Sequence, residues 1–308
     1  MGAFINRLSI RKFLYFILLA ALLPGCKGKY DELDISPYHY RETKNLVRFV
    51  YDASRKLQSG GMKSLEYFAA NRDKYNKGNQ YLYVYNMQGD NLFHAGMPNL
   101  EGKNLWAIRD KDNKPIFQMV VKALADETNP HAWVHYSWWK PGNFYPVPKS
   151  SCHFKVTTPE GRELLVGGGL NYPLEEKEFI RIIVDNAVEL LAEKGEDALA
   201  EISDPLSEYN FRDTCVFVFH ENGRILVSPV INDSRYQINL LECEDAVGHK
   251  PFAKAIQALV SNNQTWEIFM AKNKYQRSFV KKSLYLHKAI LNGDIIYVGA
   301  VTDLPQMP

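Results

Sequence analysis

The chain has 308 residues, enough for two domains of ordinary size, and it is 46% hydrophobic and 23% charged, a globular composition. The formal net charge is +2, but Arg7, Arg11 and Lys12 lie in the first 25 residues, which contain no acid. Without those three charges the balance is +2 − 3 = −1. A nearly neutral body excludes the strong basic field that nucleic-acid binding requires, so no nucleic-acid partner is predicted.

The N-terminus predicts export from the cytoplasm. The apolar run over 13–23 follows the three basic residues and is shorter than the ~20 residues that span a bilayer, which is typical of a secretory signal. It ends in LPGC, which resembles a bacterial lipoprotein cleavage box. The resemblance implies a signal peptide over 1–25, a lipidated thiol on Cys26 and a polar tether over 26–40. An uncleaved membrane anchor is the alternative.

The rest of the chain repeats itself. Residues 81–93 (YLYVYNMQGDNLF) align with 215–227 (CVFVFHENGRILV), and both read as strand, turn and strand. Gly89 and Gly223 take the same turn position, where a positive φ is expected.

Further similarities extend the repeat. The helical stretch FQMVVKAL (117–124) aligns with FAKAIQAL (252–259), and Trp133 aligns with Trp266. Each unit also opens with a helix, because apolar residues keep helical spacing at Leu46, Val47, Val50, Ala53 and Leu57, and at Ile180, Ile183, Val184, Ala187 and Leu191.

The pattern in each unit therefore predicts a long helix, a strand pair, a second helix and three strands. That order is typical of an α+β fold with two tandem antiparallel sheets. Pro173 precedes the second long helix and places the boundary, giving domains over 41–172 and 173–308.

Three motifs in the first unit resemble the Cache family of extracytoplasmic sensor domains, which have a PAS-like fold. They are VHYSWWKP (134–141), GDNLFHAGMPNLEGKNLW (89–106) and VGGGLNY (166–172). The second unit shares the layout but lacks the Y-x-W-x-K-P core, so it is interpreted as a diverged Cache-like domain.

The aromatic stretch AWVHYSWWKP supplies the candidate pocket. Alternate residues of a strand share a face, so Tyr136 and Trp138 lie together. The resemblance implies a small-molecule site, and the candidate ligand-binding residues are Tyr136, Trp138, Lys149, His94, Trp106 and Tyr83. The alternative for the aromatic residues is ordinary core packing, and for Lys149 a solvated surface position.

No reactive constellation is present in the sequence. The chain has no G-x-S-x-G, HExxH, P-loop or dinucleotide fingerprint, so we predict no enzyme activity, no cofactor and no metal. Convergence of His131, His135 and His153 on a metal is the weaker alternative. The cysteines after Cys26 are Cys152, Cys215 and Cys243, interpreted as buried thiols, with a Cys215–Cys243 disulfide left open.

The expected function is that of a lipid-anchored, extracytoplasmic sensory protein of the bacterial cell envelope. The resemblance implies a small organic acid or amino acid as ligand. Because no later run approaches ~18 apolar residues, the signal is expected to reach a separate membrane partner. The alternative is a structural or interaction lipoprotein that has no small-molecule ligand.

Overall fold

Two antiparallel sheets organise the part of the chain that the structure describes. The computed structural model describes residues 33–125, 131–140, 144–212, 214–228, 238–272 and 278–304. The predicted signal peptide and the predicted lipidation residue Cys26 lie outside the described residues. Within those ranges, no helix combines the length and the apolar character needed to cross a bilayer.

The helices and strands follow the predicted order in each half. The described α-helices are α1 (Arg41–Gly60), α2 (Lys63–Ala70), α3 (Ile116–Ala123), α4 (Lys177–Lys194), α5 (Asp197–Ser203) and α6 (Pro251–Ala258). The strands of the first half are β1 (Asn76–Lys77), β2 (Gln80–Asn86), β3 (Asn91–His94), β4 (Ala132–Trp139), β5 (Pro146–Thr157) and β6 (Glu163–Asn171). Those of the second half are β7 (Asn210–Phe211), β8 (Thr214–Cys215), β9 (Phe217–His220), β10 (Ile225–Val227), β11 (Gln264–Lys272), β12 (Phe279–Leu291) and β13 (Asp294–Asp303). The predicted α+β class with antiparallel sheets is confirmed.

The long helices form where the apolar spacing predicts them. In α1 the buried side chains include Leu46, Val50 and Leu57, which lie on one helical face. The helix ends at Gly60, and Gly61 adopts a φ of 60°, a conformation that glycine reaches without steric cost. The turn glycines Gly89 and Gly223 have φ values of 93° and 87°, as expected.

The two sheets share one strand order. The first runs β3-β2-β6-β5-β4, with the short β1 also paired to β2, and the second runs β10-β9-β13-β12-β11. The registers also correspond, because Trp133 pairs with Cys152 and Trp266 pairs with Tyr285. Both sheets therefore place their strands in equivalent positions, as a duplicated unit would.

The region Ile35–Pro308 forms one compact unit that contains both sheets. The domain boundary at 172/173 therefore remains a prediction. Within the stretch predicted as a tether, Tyr38 is buried, and its hydroxyl is hydrogen-bonded to His131 Nε2 at 2.6 Å and accepts the Trp133 indole N–H at 2.7 Å. This end of the stretch packs against the first sheet.

The structure places no disulfide between any two of the three described cysteines. Cys152 is buried, whereas Cys215 and Cys243 are partly exposed. The structure therefore shows no Cys215–Cys243 disulfide, and only the first of the three matches the interpretation as a buried thiol.

Candidate ligand-binding cavity

A small cavity of about 40 Å³ lies between one face of the first sheet and helix α3. The sheet side consists mainly of aromatic and polar residues, namely Tyr81, Tyr83, Tyr85, His94, Tyr136, Trp138, Lys149, His153 and Leu165. The opposite side is apolar and consists of Leu105, Ile108, Ile116, Phe117 and Val120. Since one water occupies about 10–15 Å³ on this volume scale, the cavity accommodates a ligand of only a few heavy atoms.

Five of the six candidate residues line this cavity, and Trp106 does not. Trp106 is 41% exposed, and its ring packs against Phe117 with centroids 5.7 Å apart. It therefore lies behind a residue of the apolar wall. Its alignment with the motif did not show this, because the chain after β3 folds back along the β2–β3 turn, where the Leu105 N–H donates to the Gly89 carbonyl at 2.8 Å.

Lys149 is the cation of the cavity. It pairs with Tyr136 across β4 and β5, and it is only 1% exposed, so the alternative of a solvated surface lysine is wrong. Its Nζ lies 3.7 Å from the centroid of the Tyr81 ring and 5.6 Å from that of Tyr83. No described residue gives it an ion pair or a hydrogen bond, and burial lowers the pKa of Lys149 well below its usual value.

His94 is held at the end of β3 with a defined tautomer. The backbone N–H of Met97 donates to His94 Nδ1 at 2.9 Å, so Nε2 carries the proton of the neutral ring and is the atom that can donate. Burial, followed by the charge of Lys149, lowers the pKa of His94 to about 3. Glu101 fixes the backbone by accepting the His94 N–H at 2.9 Å. His94 thus contributes a neutral, oriented hydrogen-bond donor.

A buried hydrogen bond joins β2 to β5 beside the lysine. The Tyr83 hydroxyl and His153 Nε2 are 2.9 Å apart. Burial lowers the pKa of His153 to about 3 and raises the pKa of Tyr83 well above its usual value, so both groups are neutral. Within the described lining of the cavity, Lys149 is therefore the group that supplies charge to a ligand.

Glycines in β6 make room for these side chains, a role that sequence reasoning missed. A Cβ on Gly167 would lie 2.3 Å from the Tyr83 ring and 2.6 Å from the His153 ring. A Cβ on Gly169 would lie 2.2 Å from Lys149 Cε. The sequence signal was present in the VGGGLNY run, because residues 167 and 169 share one face of a strand.

The equivalent face of the second sheet is apolar. By register, the Tyr136–Lys149 pair corresponds to Phe269 and Lys282. Lys282 is partly exposed and forms an ion pair with Asp303. The second sheet therefore has no buried, unpaired lysine at this position.

In the second sheet, the aromatic Phe217 and the aliphatic Leu286 take the places of Tyr83 and His153. A Cβ on Gly299 would contact Leu286 and Phe217, where Gly167 meets His153 and Tyr83. Phe219 and Tyr297 pack nearby with ring centroids 5.3 Å apart. This face consists of core residues.

His131, His135 and His153 do not converge. His153 pairs with Ala132, so it shares a sheet face with the even-numbered residues of β4, whereas His135 points to the other face. There His135 Nδ1 is hydrogen-bonded to Ser150 at 2.7 Å. Among the described residues, no three His, Cys, Asp or Glu side chains are placed to share a metal ion. The alternative of a three-histidine metal site is therefore wrong.

The sheet, the covering helix and the small cavity between them form one structural module. The family model for the Cache domain matches residues 50–159, so this part of the chain is a Cache domain, as the motifs indicate. The cavity residues from β2 to β5 fall within that match.

One curated relative and two solved structures resemble parts of the chain. The methyl-accepting chemotaxis protein McpP of Pseudomonas putida is 31% identical over 106 residues, which cover 34% of this chain and 18% of the relative. The periplasmic sensor domain of a chemotaxis protein is 23% identical, with a TM-score of 0.32 over 55% of this chain and 100% of that chain. A structure described as the basis for carboxylic acid recognition by a Cache chemosensory domain is 21% identical, with a TM-score of 0.34 over 43% of this chain and 94% of that chain. The matched stretch is thus a small part of the curated relative.

Proposed function

We propose that the first sheet is the ligand-binding module of an extracytoplasmic receptor for a small carboxylate. The observation that carries the proposal is Lys149, a lysine that is 1% exposed, lines a cavity and has no ion-pair partner among the described residues. A buried ammonium without an anion costs several kcal/mol. A carboxylate ligand removes that cost by forming a charge-assisted hydrogen bond with Nζ.

The neighbouring donors support an oxyanion rather than a cation. His94 offers Nε2–H, and Tyr136, the cross-strand neighbour of Lys149, brings a phenol to the same lining. A carboxylate has two oxygens with several acceptor sites, so one oxygen can bind the ammonium and the other the imidazole or phenol. The apolar wall then encloses the short carbon chain.

The charge of the lining favours a simple carboxylate over an amino acid. The described lining includes one lysine and no aspartate or glutamate. An amino acid would bring its own ammonium group into this space, where it would meet Lys149 and two neutral histidines. The small volume of about 40 Å³ also favours a short acid.

We further propose that the receptor is anchored to a membrane and signals through a partner protein. The LPGC sequence supports lipidation at Cys26 and anchoring to a membrane of the bacterial cell envelope. The receptor then acts by binding, without covalent chemistry, and passes its signal to a separate membrane partner. The second domain, over 173–308, carries the paired Lys282 and contributes structure rather than a second carboxylate site.

Calorimetric titration of the full chain in detergent tests the proposal. Acetate, propionate, glycine and alanine are titrated as sodium salts or zwitterions, with sodium chloride at equal ionic strength as the reference. We expect the short acids to bind more tightly than the amino acids and to raise the thermal unfolding midpoint. Absence of binding by all four compounds would contradict the proposal.

The alternative of an interaction lipoprotein has one observation in its favour. Ile268 on β11 and Phe279 on β12 are each 53% exposed and leave apolar surface on the second sheet. Under this alternative no carboxylate binds, and a membrane-fraction pull-down recovers one stoichiometric protein partner. Replacing both residues by serine then removes that partner, and acetate leaves the unfolding midpoint of both forms unchanged.

A further inference from the structure

We propose that the chain has a second ligand site, for a small organic ammonium cation, in a separate cavity between helix α4, the end of α3 and the start of β4. This acidic cavity has a volume of about 130 Å³ and is lined by Glu189, Glu193, Glu208, Tyr209, Trp133 and Lys122, among others. None of these residues lines the carboxylate cavity. The proposal therefore adds to the receptor function and does not depend on it.

Helix α4 presents two solvent-exposed carboxylates to the acidic cavity. Glu189 and Glu193 are four residues apart and lie on one helical face, so their charges act on the same space. Neither makes an ion pair with a described residue. Lys122 Nζ, the positive group in the lining, lies 2.6 Å from Glu208 and 3.8 Å from Glu201. Its charge is thus already matched, and the cavity keeps a negative potential.

Tyr209 is the buried polar residue of the acidic cavity. It is 1% exposed and lines the acidic cavity, and its hydroxyl has no hydrogen-bond partner among the described residues. Burial raises the pKa of Tyr209, and the charge of Glu208 raises it further, so the phenol stays neutral. Since no described residue donates to the hydroxyl oxygen, the oxygen can accept an N–H from a ligand.

The spacing of the acids fits an organic cation better than a metal ion. No three described carboxylate, imidazole or thiol groups are placed to share a metal. Trp133 and Leu190 add apolar wall to the acidic cavity. An aromatic face beside carboxylates is a favourable environment for an ammonium group that carries hydrocarbon. On the scale of about 10–15 Å³ per water, 130 Å³ holds a molecule of several heavy atoms.

Titration calorimetry of the full chain with 1,4-diaminobutane tests this inference, with sodium chloride and magnesium chloride at equal ionic strength as references. We expect the diamine to bind. The double variant Glu189→Gln/Glu193→Gln should weaken it about five- to tenfold, the scale of two partly screened charge contacts. Tyr209→Phe keeps the buried ring and should weaken binding about three- to tenfold through loss of one acceptor.

Two controls separate this site from other effects. Glu66→Gln on α2 removes an exposed acid elsewhere and should leave diamine affinity unchanged. Lys149→Met should abolish acetate binding but keep diamine binding, so the two sites fail independently. The inference is overturned if the diamine does not bind, if the Glu189/Glu193 and Tyr209 variants bind it like the original chain, or if magnesium binds with the same dependence on the glutamates.

Discussion

The ammonium nitrogen of Lys149 lies 3.7 Å from the centre of the Tyr81 ring, and both side chains are buried. The face of an aromatic ring attracts a cation but replaces only part of its hydration. Burial lowers the pKa of Lys149 and raises that of Tyr81, so no buried phenolate compensates the lysine. Burial therefore disfavours the charged form of Lys149 in the ligand-free cavity, and the protonation of this lysine should depend on whether an anion is present.

Replacing this lysine should improve stability and abolish binding. Lys149→Met fills a similar volume without charge, so we expect a higher unfolding midpoint in the absence of ligand. Acetate affinity should fall at least about thirtyfold, because a buried charge-assisted contact contributes 2 kcal/mol or more. Calorimetric titration and scanning calorimetry measure the two effects.

Lys282→Met is the matched control for that variant. Lys282 is the equivalent residue of the second sheet, but it is partly exposed and paired with Asp303. Its replacement should leave acetate affinity unchanged. An equal loss of binding in both variants would show that general charge, rather than the buried lysine, attracts the acid.

Carboxylate binding should be coupled to proton uptake. The pKa of Lys149 is lowered in the free protein, and an adjacent carboxylate raises it by stabilising the charged form. Affinity should therefore increase as the pH is lowered from 9 towards 6. Titration at fixed pH in buffers of different ionisation enthalpy measures the number of protons taken up per bound carboxylate. A value of zero across this pH range would contradict a role for Lys149 in charge pairing.

Closing the space beside Tyr83 should remove the site while the fold persists. In Gly167→Ala the new methyl group would lie 2.3 Å from the Tyr83 ring and 2.6 Å from His153, so the pair must separate or shift into the cavity. We expect a loss of stability of about 1–3 kcal/mol from overpacking and a loss of acetate binding, measured by urea unfolding and titration. Gly299→Ala is the comparison, because its added Cβ would lie 2.4 Å from Leu286 Cδ2 in the second sheet, so it should also cost stability but leave acetate binding unchanged. If Gly167→Ala binds acetate like the unchanged chain, the cavity is not the binding site.

Buried neutral histidines should make the protein sensitive to mild acid. Burial lowers the pKa of His94 and His153 to about 3, whereas an unfolded chain titrates near ~6.5. The unfolded state then binds more protons as the pH falls below 6.5, so stability present at pH 7.5 is lost progressively towards pH 3. Each residue should cost on the order of 1–2 kcal/mol by pH 5, measured by urea unfolding at both pH values.

Two variants test whether His153 causes the loss of stability in acid. His153→Leu introduces the side chain that Leu286 has at the equivalent place in the second sheet, and it should reduce the acid sensitivity. His249→Gln changes a histidine whose side chain is 78% exposed and should not. Equal acid sensitivity in both variants would mean that His153 does not contribute.

The candidate site was partly predictable because neighbouring residues in β4 and β5 carry much of it. Alternation along one strand places Tyr136 beside Trp138, and the hairpin register brings Lys149 opposite Tyr136. Tyr81 and His153 were not recognised as part of the site. They approach through the order β2-β6-β5-β4, in which β2 and β5 are both neighbours of β6. No short-range sequence pattern contains that information.

The sequence alone determined the duplicated α+β layout, because helix and strand periodicity, turn glycines and repeated order are local properties of the chain. Only the tertiary structure decided which side chains lose contact with water. Lys149 is a cavity cation because α3 and the glycines of β6 enclose it, while Lys282 at the equivalent register is solvated and paired. Burial is a property of the whole packed assembly, and burial turns an ordinary lysine into a group that requires an anion.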